Sequence, residues 1–180
     1  MLKIVTVPNP ILSSKTKPVV NFDKKIKKII DEMVETLEAQ NDPPGVGLAA
    51  NQVGLDLSLF IIKPTKKSPV KVFINPEIIK TVFDKDSLYD KKQSKKRLIK
   101  FEGCLSIPRI WGPIKRADKV LLKYQDENGK KYENWFSGFE ATIIQHEVDH
   151  LNGIVFTQRS LEQNQKLYKE KKDHLEEINL

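Results

Sequence analysis

The chain has 180 residues, 39% hydrophobic and 31% charged, which suits one folded domain with a sizeable apolar core and excludes a disordered chain. Lysine and arginine outnumber acidic residues by 31 to 24, and the net charge of +7 favours encounter with anionic surfaces such as RNA, although a solvated lysine-rich surface explains it equally well. The stretch from Met1 to Pro8 carries no long apolar run, so no secretory signal or membrane span is expected there, and the single cysteine excludes an intrachain disulfide and suits the cytoplasm.

From Asn21 to Gln40, Ile26, Ile29, Ile30, Met33 and Leu37 recur at helical spacing among lysines and glutamates, predicting an amphipathic helix. Asn41-Asp-Pro-Pro-Gly45 stops it, because proline lacks the amide hydrogen a helix needs. The runs Leu57 to Ile62, Val70 to Ile74, Ile78 to Phe83, Leu98 to Phe101, Val120 to Tyr124 and Tyr132 to Phe136 read as strands of a mostly antiparallel sheet. The polar stretch from Asp84 to Arg97 reads as an exposed loop, and Asp126-Glu-Asn-Gly129 as a hairpin turn. Ser137-Gly-Phe-Glu140 fits a capping box opening a helix that runs to Asn152, with Gly153 ending it. Leu161, Leu167, Leu175 and Ile178 among many charges predict a helical tail over 160–180. The fold class expected is α+β, with mostly antiparallel sheets around a central helix, and residues 1–180 forming one domain.

His146-Glu-Val-Asp-His150 falls inside the capped helix, where residues four apart share a face, so both imidazoles can reach one metal ion and Glu147 can face its bound water. The chain has three histidines, and two stand at this spacing around a glutamate; the plainer alternative is a pair of core or surface histidines. A catalytic site of this kind needs a third protein donor and an open position, and Cys104 in Glu102-Gly-Cys-Leu-Ser-Ile-Pro108 is the candidate, against a buried structural thiol. In Gly45-Val-Gly-Leu-Ala-Ala-Asn-Gln52 the small residues leave room for an approaching chain, and the Gln52 amide can donate to an oxyanion; a tight turn before a short helix explains the same residues. Glu102 and Asp149, with Arg116 near, suit either orientation of the histidines' second ring nitrogens or a structural salt bridge.

These three segments, in this order, resemble the three motifs of the peptide deformylases, which remove the formyl group from the initiator methionine of nascent bacterial proteins. The resemblance implies the α+β deformylase fold. It also implies one divalent metal held by Cys104, His146 and His150, with Fe2+ in vivo and Zn2+, Ni2+ or Co2+ able to substitute. Glu147 is then the general acid/base assisting attack by the metal-bound water, and Gln52 and the Leu105 amide the oxyanion donors. Val46, Phe139 and Ile143 fall where the family lines its methionine pocket, and Gly47 and Gly103 where backbone groups bind substrate. The chain departs from the family pattern at 84–97 and at Arg109-Ile-Trp-Gly112, which bears on peptide preference rather than chemistry.

N-formylmethionyl nascent peptides are the implied partners, with ribosome contact through the basic Lys166 to Lys172 segment, and neither membrane association nor specific DNA binding is expected. His174 reads as a surface residue. Two other readings share parts of the pattern. A zinc endopeptidase shares the His-Glu-x-x-His helix but not a cysteine ligand, and a noncatalytic metal-stabilised binding domain has no use for Glu147.

Overall fold

The periodic isoleucines after Phe22 fold as helix α1 (Lys24–Glu38), in a computed structural model that describes residues 1–83 and 101–178. The Asp23 carboxylate caps α1 by accepting hydrogen bonds from the amides of Lys25 and Ile26 at 2.9 and 3.1 Å, which a helix start otherwise leaves unpaired. Ile26, Ile30, Met33 and Leu37 form its buried stripe. Burying each such side chain contributes about 1.5–3 kcal/mol, so packing outweighs helix propensity here.

Among the described residues nine strands and two further helices follow: β1 (Gly47–Ala49), β2 (Leu59–Ile62), β3 (Lys71–Val82), β4 (Phe101–Cys104), β5 (Ile107–Pro113), β6 (Lys119–Gln125), β7 (Lys131–Ser137), α2 (Gly138–Leu151), α3 (Phe156–Glu162), β8 (Leu167–Glu170) and β9 (Leu175–Ile178). They form two antiparallel sheets, a five-stranded one in the order β1-β2-β3-β6-β7 and a four-stranded one in the order β4-β5-β8-β9. The expected α+β class therefore holds.

β2 is apolar at every position because both its faces are covered. Leu59 and Ile61 lie under α1, whereas Phe60 and Ile62 join Phe73, Val120, Leu122 and Ile144 against α2. Helix α2 is the central element, with Ala141, Ile143, Ile144, Gln145, Glu147, Asp149, His150 and Leu151 buried around its circumference. It ends where expected: Asn152 caps it and Gly153 takes φ +73°. A Cβ on Gly153 would fall 2.7 Å from the Ser13 carbonyl carbon, so the 3-10 turn Pro10–Ser13 also needs a glycine there. A third cluster, Cys104, Ile107, Ile114, Phe156 and Leu167, ties the four-stranded sheet to α3.

Several expectations need correction. The two strands expected at Val70 to Ile74 and Ile78 to Phe83 are one strand, β3, with register shifts between Ile74 and Glu77 and between Ile78 and Lys80. Pro76 lacks a ladder donor and is accommodated at the first irregularity, where Asn75 takes φ +50° and its side chain bonds both the amide and the carbonyl of Val19. The capping box at Ser137 does not form: Ser137 is the N-cap residue without a side-chain bond, and Glu140 instead pairs with Lys71 at 2.6 Å.

The helical tail expected over 160–180 is replaced by the end of α3 and the β8–β9 hairpin. β5 presents an edge that β8 completes, Leu167 and Ile178 pack into the third cluster, and Lys166–Glu177 and Lys171–Glu176 pair across the strands. The loop expected over 84–97 lies outside the described residues, as does the start of the strand expected at Leu98 to Phe101. No helix of the described residues is long and apolar enough to cross a membrane.

Candidate active site

Three of the residues singled out by sequence converge between the two sheets. His146 and His150 project from one face of α2, and Cys104 closes β4 just before a two-residue turn at Leu105 and Ser106. Their ligand atoms all lie within 4.8 Å of one another, and Cys104 Sγ sits 3.1 Å from His150 Nε2. Cys104 and His150 are buried, and His146 is nearly so. Nothing about a small hydrophobic thiol requires two imidazoles at this range, so the buried structural cysteine is the weaker reading.

The electrostatics point the same way. Burial alone would raise the Cys104 pKa, but the charge of His150 and hydrogen bonds from both histidines override it and hold the thiol well below its ordinary range. Burial lowers His146, yet the contacts with Cys104 and Glu102 prevail and hold it well above the usual imidazole range. A thiolate facing an imidazolium is a site in which a divalent cation can replace the proton. Soft sulfur with two nitrogens, three protein donors in all, fits a transition-metal ion that keeps a position open.

The ligands are held by a buried charge network. Glu102 Oε2 accepts from His146 Nδ1 at 3.0 Å, and Arg116 grips Glu102 through two hydrogen bonds of 2.9 Å. Burial would raise Glu102, but the Arg116 guanidinium and His146 bring it down to about 2, so it stays a carboxylate. Arg116 also reaches Asp149, which Arg159 of α3 grips in turn at 2.8 Å. Of the two carboxylates considered for orienting a histidine, Glu102 does so, and Asp149 acts on Arg116 instead.

Glu147 lies on the same helix with 3% of its surface exposed, and its Oε2 makes no hydrogen bond. Burial pushes its carboxyl up to about 7, with the nearby Cys104 and Glu102 charges adding and His146 and His150 opposing. A carboxylate poised near neutrality with a free lone pair is suited to taking and returning a proton. Its other oxygen crowds Gly47, where a Cβ would fall 2.8 Å from Ile143 and 2.9 Å from Glu147 Cδ.

Gln52 stands within the turn Ala50–Val53 with its side chain pinned at both ends. Its Oε1 accepts the Ala49 amide at 2.8 Å, and its Nε2 donates toward Cys104 Sγ and Ser106 Oγ, both at 3.3 Å. The amide hydrogens therefore point into the ligand cluster.

These groups line one cavity of about 620 Å³ that contains Val46, Gly47, Gln52, Gly103, Cys104, Leu105, Phe139, Ile143, His146 and Glu147. His150 is the one expected site residue outside its lining, being wholly buried behind the others. Among the described residues the cavity lies at the end strand of each sheet, β1 on one side and β4 on the other.

Sequence reasoning did not single out Ser106, Asn51 or Arg159. Ser106 is buried and bonds Gln52, and Asn51 donates to the His150 carbonyl, fixing the helix end that carries this ligand. Asn51 lies within Gly45–Gln52 and Ser106 within Glu102–Pro108, whereas Arg159 has no local signal.

A sequence profile described as polypeptide deformylase matches residues 1–166. The peptide deformylase of Borreliella burgdorferi is 42% identical over 155 residues, covering 86% of this chain and 85% of that protein, and that of Desulfotalea psychrophila is 36% identical over 175 residues, covering 95% and 94%. Among solved structures, the Thermotoga maritima peptide deformylase superposes with TM-score 0.74 at 34% identity over 88% of this chain and 97% of that one. The Synechococcus elongatus peptide deformylase in complex with actinonin gives 0.75 at 34% over 91% and 82%. Site, fold and sequence agree, and the chain belongs to the polypeptide deformylase family.

Proposed function

We propose that this protein removes the N-formyl group from the initiator methionine of newly made polypeptides in the cytoplasm, releasing formate. The observation that carries the reading is the unpartnered, buried Glu147 Oε2 sharing one cavity with the Cys104, His146 and His150 donor set. Cys104, His146 and His150 would hold one divalent ion, Fe2+ by preference with Zn2+, Ni2+ or Co2+ able to substitute, which supplies Lewis acidity that lowers the pKa of water.

The chain's own groups do the rest. An extended peptide lies against the backbone of Gly47 and Gly103, and its methionine side chain enters between Val46, Phe139 and Ile143. Glu147 takes a proton from the attacking water, and Gln52 Nε2 with the Leu105 amide donates to the formyl oxygen as it gains negative charge, worth about 3 kcal/mol per donor. As the carbon–nitrogen bond breaks, Glu147 returns the proton to the leaving amine. The net charge of +7 supports approach to the ribosome, although Glu177 and Glu176 already pair Lys166 and Lys171 of the tail.

The test is formate release from formyl-Met-Ala-Ser by protein purified anaerobically with ferrous iron, beside a Glu147→Gln variant. The wild type should turn over, and the variant should bind the same metal yet lose roughly 10²–10⁴-fold in rate. A folded, metal-loaded wild type that releases no formate overturns the reading.

A further inference from the structure

The four-stranded sheet carries on one face a row of aromatic rings that the proposed chemistry does not use. Gly103 of β4, Trp111 of β5 and Tyr168 of β8 are direct cross-strand neighbours, so their side-chain positions share a face, and Phe101, two residues before Gly103, shares it too. The space beside Gly103 is filled by the indole: a Cβ there would fall 2.8 Å from Trp111 Cζ3 and 2.9 Å from Cε3. Phe101 and Tyr168 meet edge to face at 5.2 Å. The indole N–H donates to Glu170 Oε2 at 2.9 Å, so the β8–β9 hairpin fixes the ring. Phe101 and Trp111 also line the cavity that holds Glu147, and Phe101 is 40% exposed.

Strand alternation says what such a row can read. Among the described residues β4 is the end strand of its sheet, and a peptide running along its outer edge turns successive side chains to opposite faces of the sheet. Glu102 and Cys104 face inward toward α2, and so does the pocket of Val46, Phe139 and Ile143 assigned to methionine. The next side chain along the peptide therefore turns to the face of Phe101 and Trp111.

Resting on the deformylase reading above, we propose that Trp111, positioned by Glu170 and flanked by Phe101, forms a subsite that selects aromatic and large apolar side chains at the residue following methionine. Trp111 is the specificity-determining residue, and Glu170 acts through it as a positioning residue. Ring-on-ring contact of this kind corresponds to about a three- to tenfold gain in kcat/KM, appearing in KM because the side chain is held equally in ground and transition states.

The experiment compares formate release from formyl-Met-Phe-Ser and formyl-Met-Ala-Ser in the metal-loaded full chain. The wild type should favour the phenylalanine peptide by roughly three- to tenfold through KM, and Trp111→Ala should bring the ratio close to one. Glu170→Ala should weaken the preference, and Glu170→Gln, whose amide oxygen still accepts the indole proton, should restore it. This pair reads the same subsite if Trp111→Ala does not fold. A wild type indifferent between the two peptides, or a Trp111→Ala variant that keeps the preference, overturns the subsite while leaving the deformylase reading intact. Absence of formate from both peptides overturns that reading and the subsite with it.

Discussion

Replacing Gly47 by alanine tests whether Glu147 is held in place by the absence of a side chain in β1. Gly47 is not among the glycines with positive φ, so its backbone accepts alanine, and the perturbation is a single methyl group. That methyl would fall 2.8 Å from Ile143 Cγ2 and 2.9 Å from Glu147 Cδ, where ordinary contact begins at 3.4 Å. Ile143 and Glu147 stand one turn apart on the central helix, each 3% exposed, so the helix has no room to retreat. The carboxylate must give way by about half an ångström or more. Misplacement of a reacting group by ~1 Å costs about 100-fold, so a drop in kcat approaching that size is expected, equivalent to about 2.7 kcal/mol. Overpacking should also lower stability by about 1–3 kcal/mol. Formate release from formyl-Met-Ala-Ser, bound metal per chain and a thermal melt together decide the matter. The expected result is slow turnover at unchanged metal content. Wild-type turnover would refute the claim that β1 sets the carboxylate's position, and loss of metal would show that the ligands moved instead.

Cys104→Ser replaces a soft thiolate by a hydroxyl and should weaken metal binding, read as metal content after dialysis against a chelator; retention equal to the wild type would remove Cys104 from the ligand set. Arg116→Met leaves Glu102 buried beside His146 without its cation and should cost about 3–5 kcal/mol in chemical unfolding, so an unchanged midpoint would contradict the network described. Glu102 also sets a pH dependence: its folded pKa of about 2 lies below the ordinary 4.5, so its stabilisation is complete above 4.5 and is lost as pH falls toward 2. The loss is on the order of 3 kcal/mol, and urea titrations of metal-free protein between about pH 5 and pH 3 should show the wild type falling more steeply than Glu102→Gln. Parallel profiles would count against the buried carboxylate.

The elements legible in the sequence are those whose local pattern and tertiary role coincide. The stripe of α1, the apolar β2 and the Asp126–Gly129 turn each carry their own signal, and each folds close to its expected bounds. β5 was missed because Pro108, Gly112 and Pro113 are breakers in isolation. It forms because β4 and β8 pair with it on both sides, and Arg109 takes φ +61° where the β4–β5 register shifts between Gly103 and Cys104. The tail was misread because its leucines are too sparse to define a period. Leu167 and Ile178 instead find their partners in the third cluster, with the exposed Lys166–Glu177 and Lys171–Glu176 pairs beside them.

In the site, spacing within one helix made His146, Glu147 and His150 legible, and the need for a further donor led to Cys104. What sequence does not carry is contact between distant segments. Trp111 and Glu170 are 59 residues apart, and Arg159 reaches Asp149 from a separate helix, so neither pairing has a local signature. The edge strands show why glycines recur at this place. An unpaired sheet edge invites association, and short edges limit that hazard. Among the described residues β1 has three residues and β4 four, each carries one glycine against the cavity, and they face it from different sheets. On the function proposed above, two such edges flanking a buried carboxylate leave room for one extended peptide. On that same proposal, the exposure that would be a liability elsewhere is the means by which this fold brings a peptide terminus to Glu147.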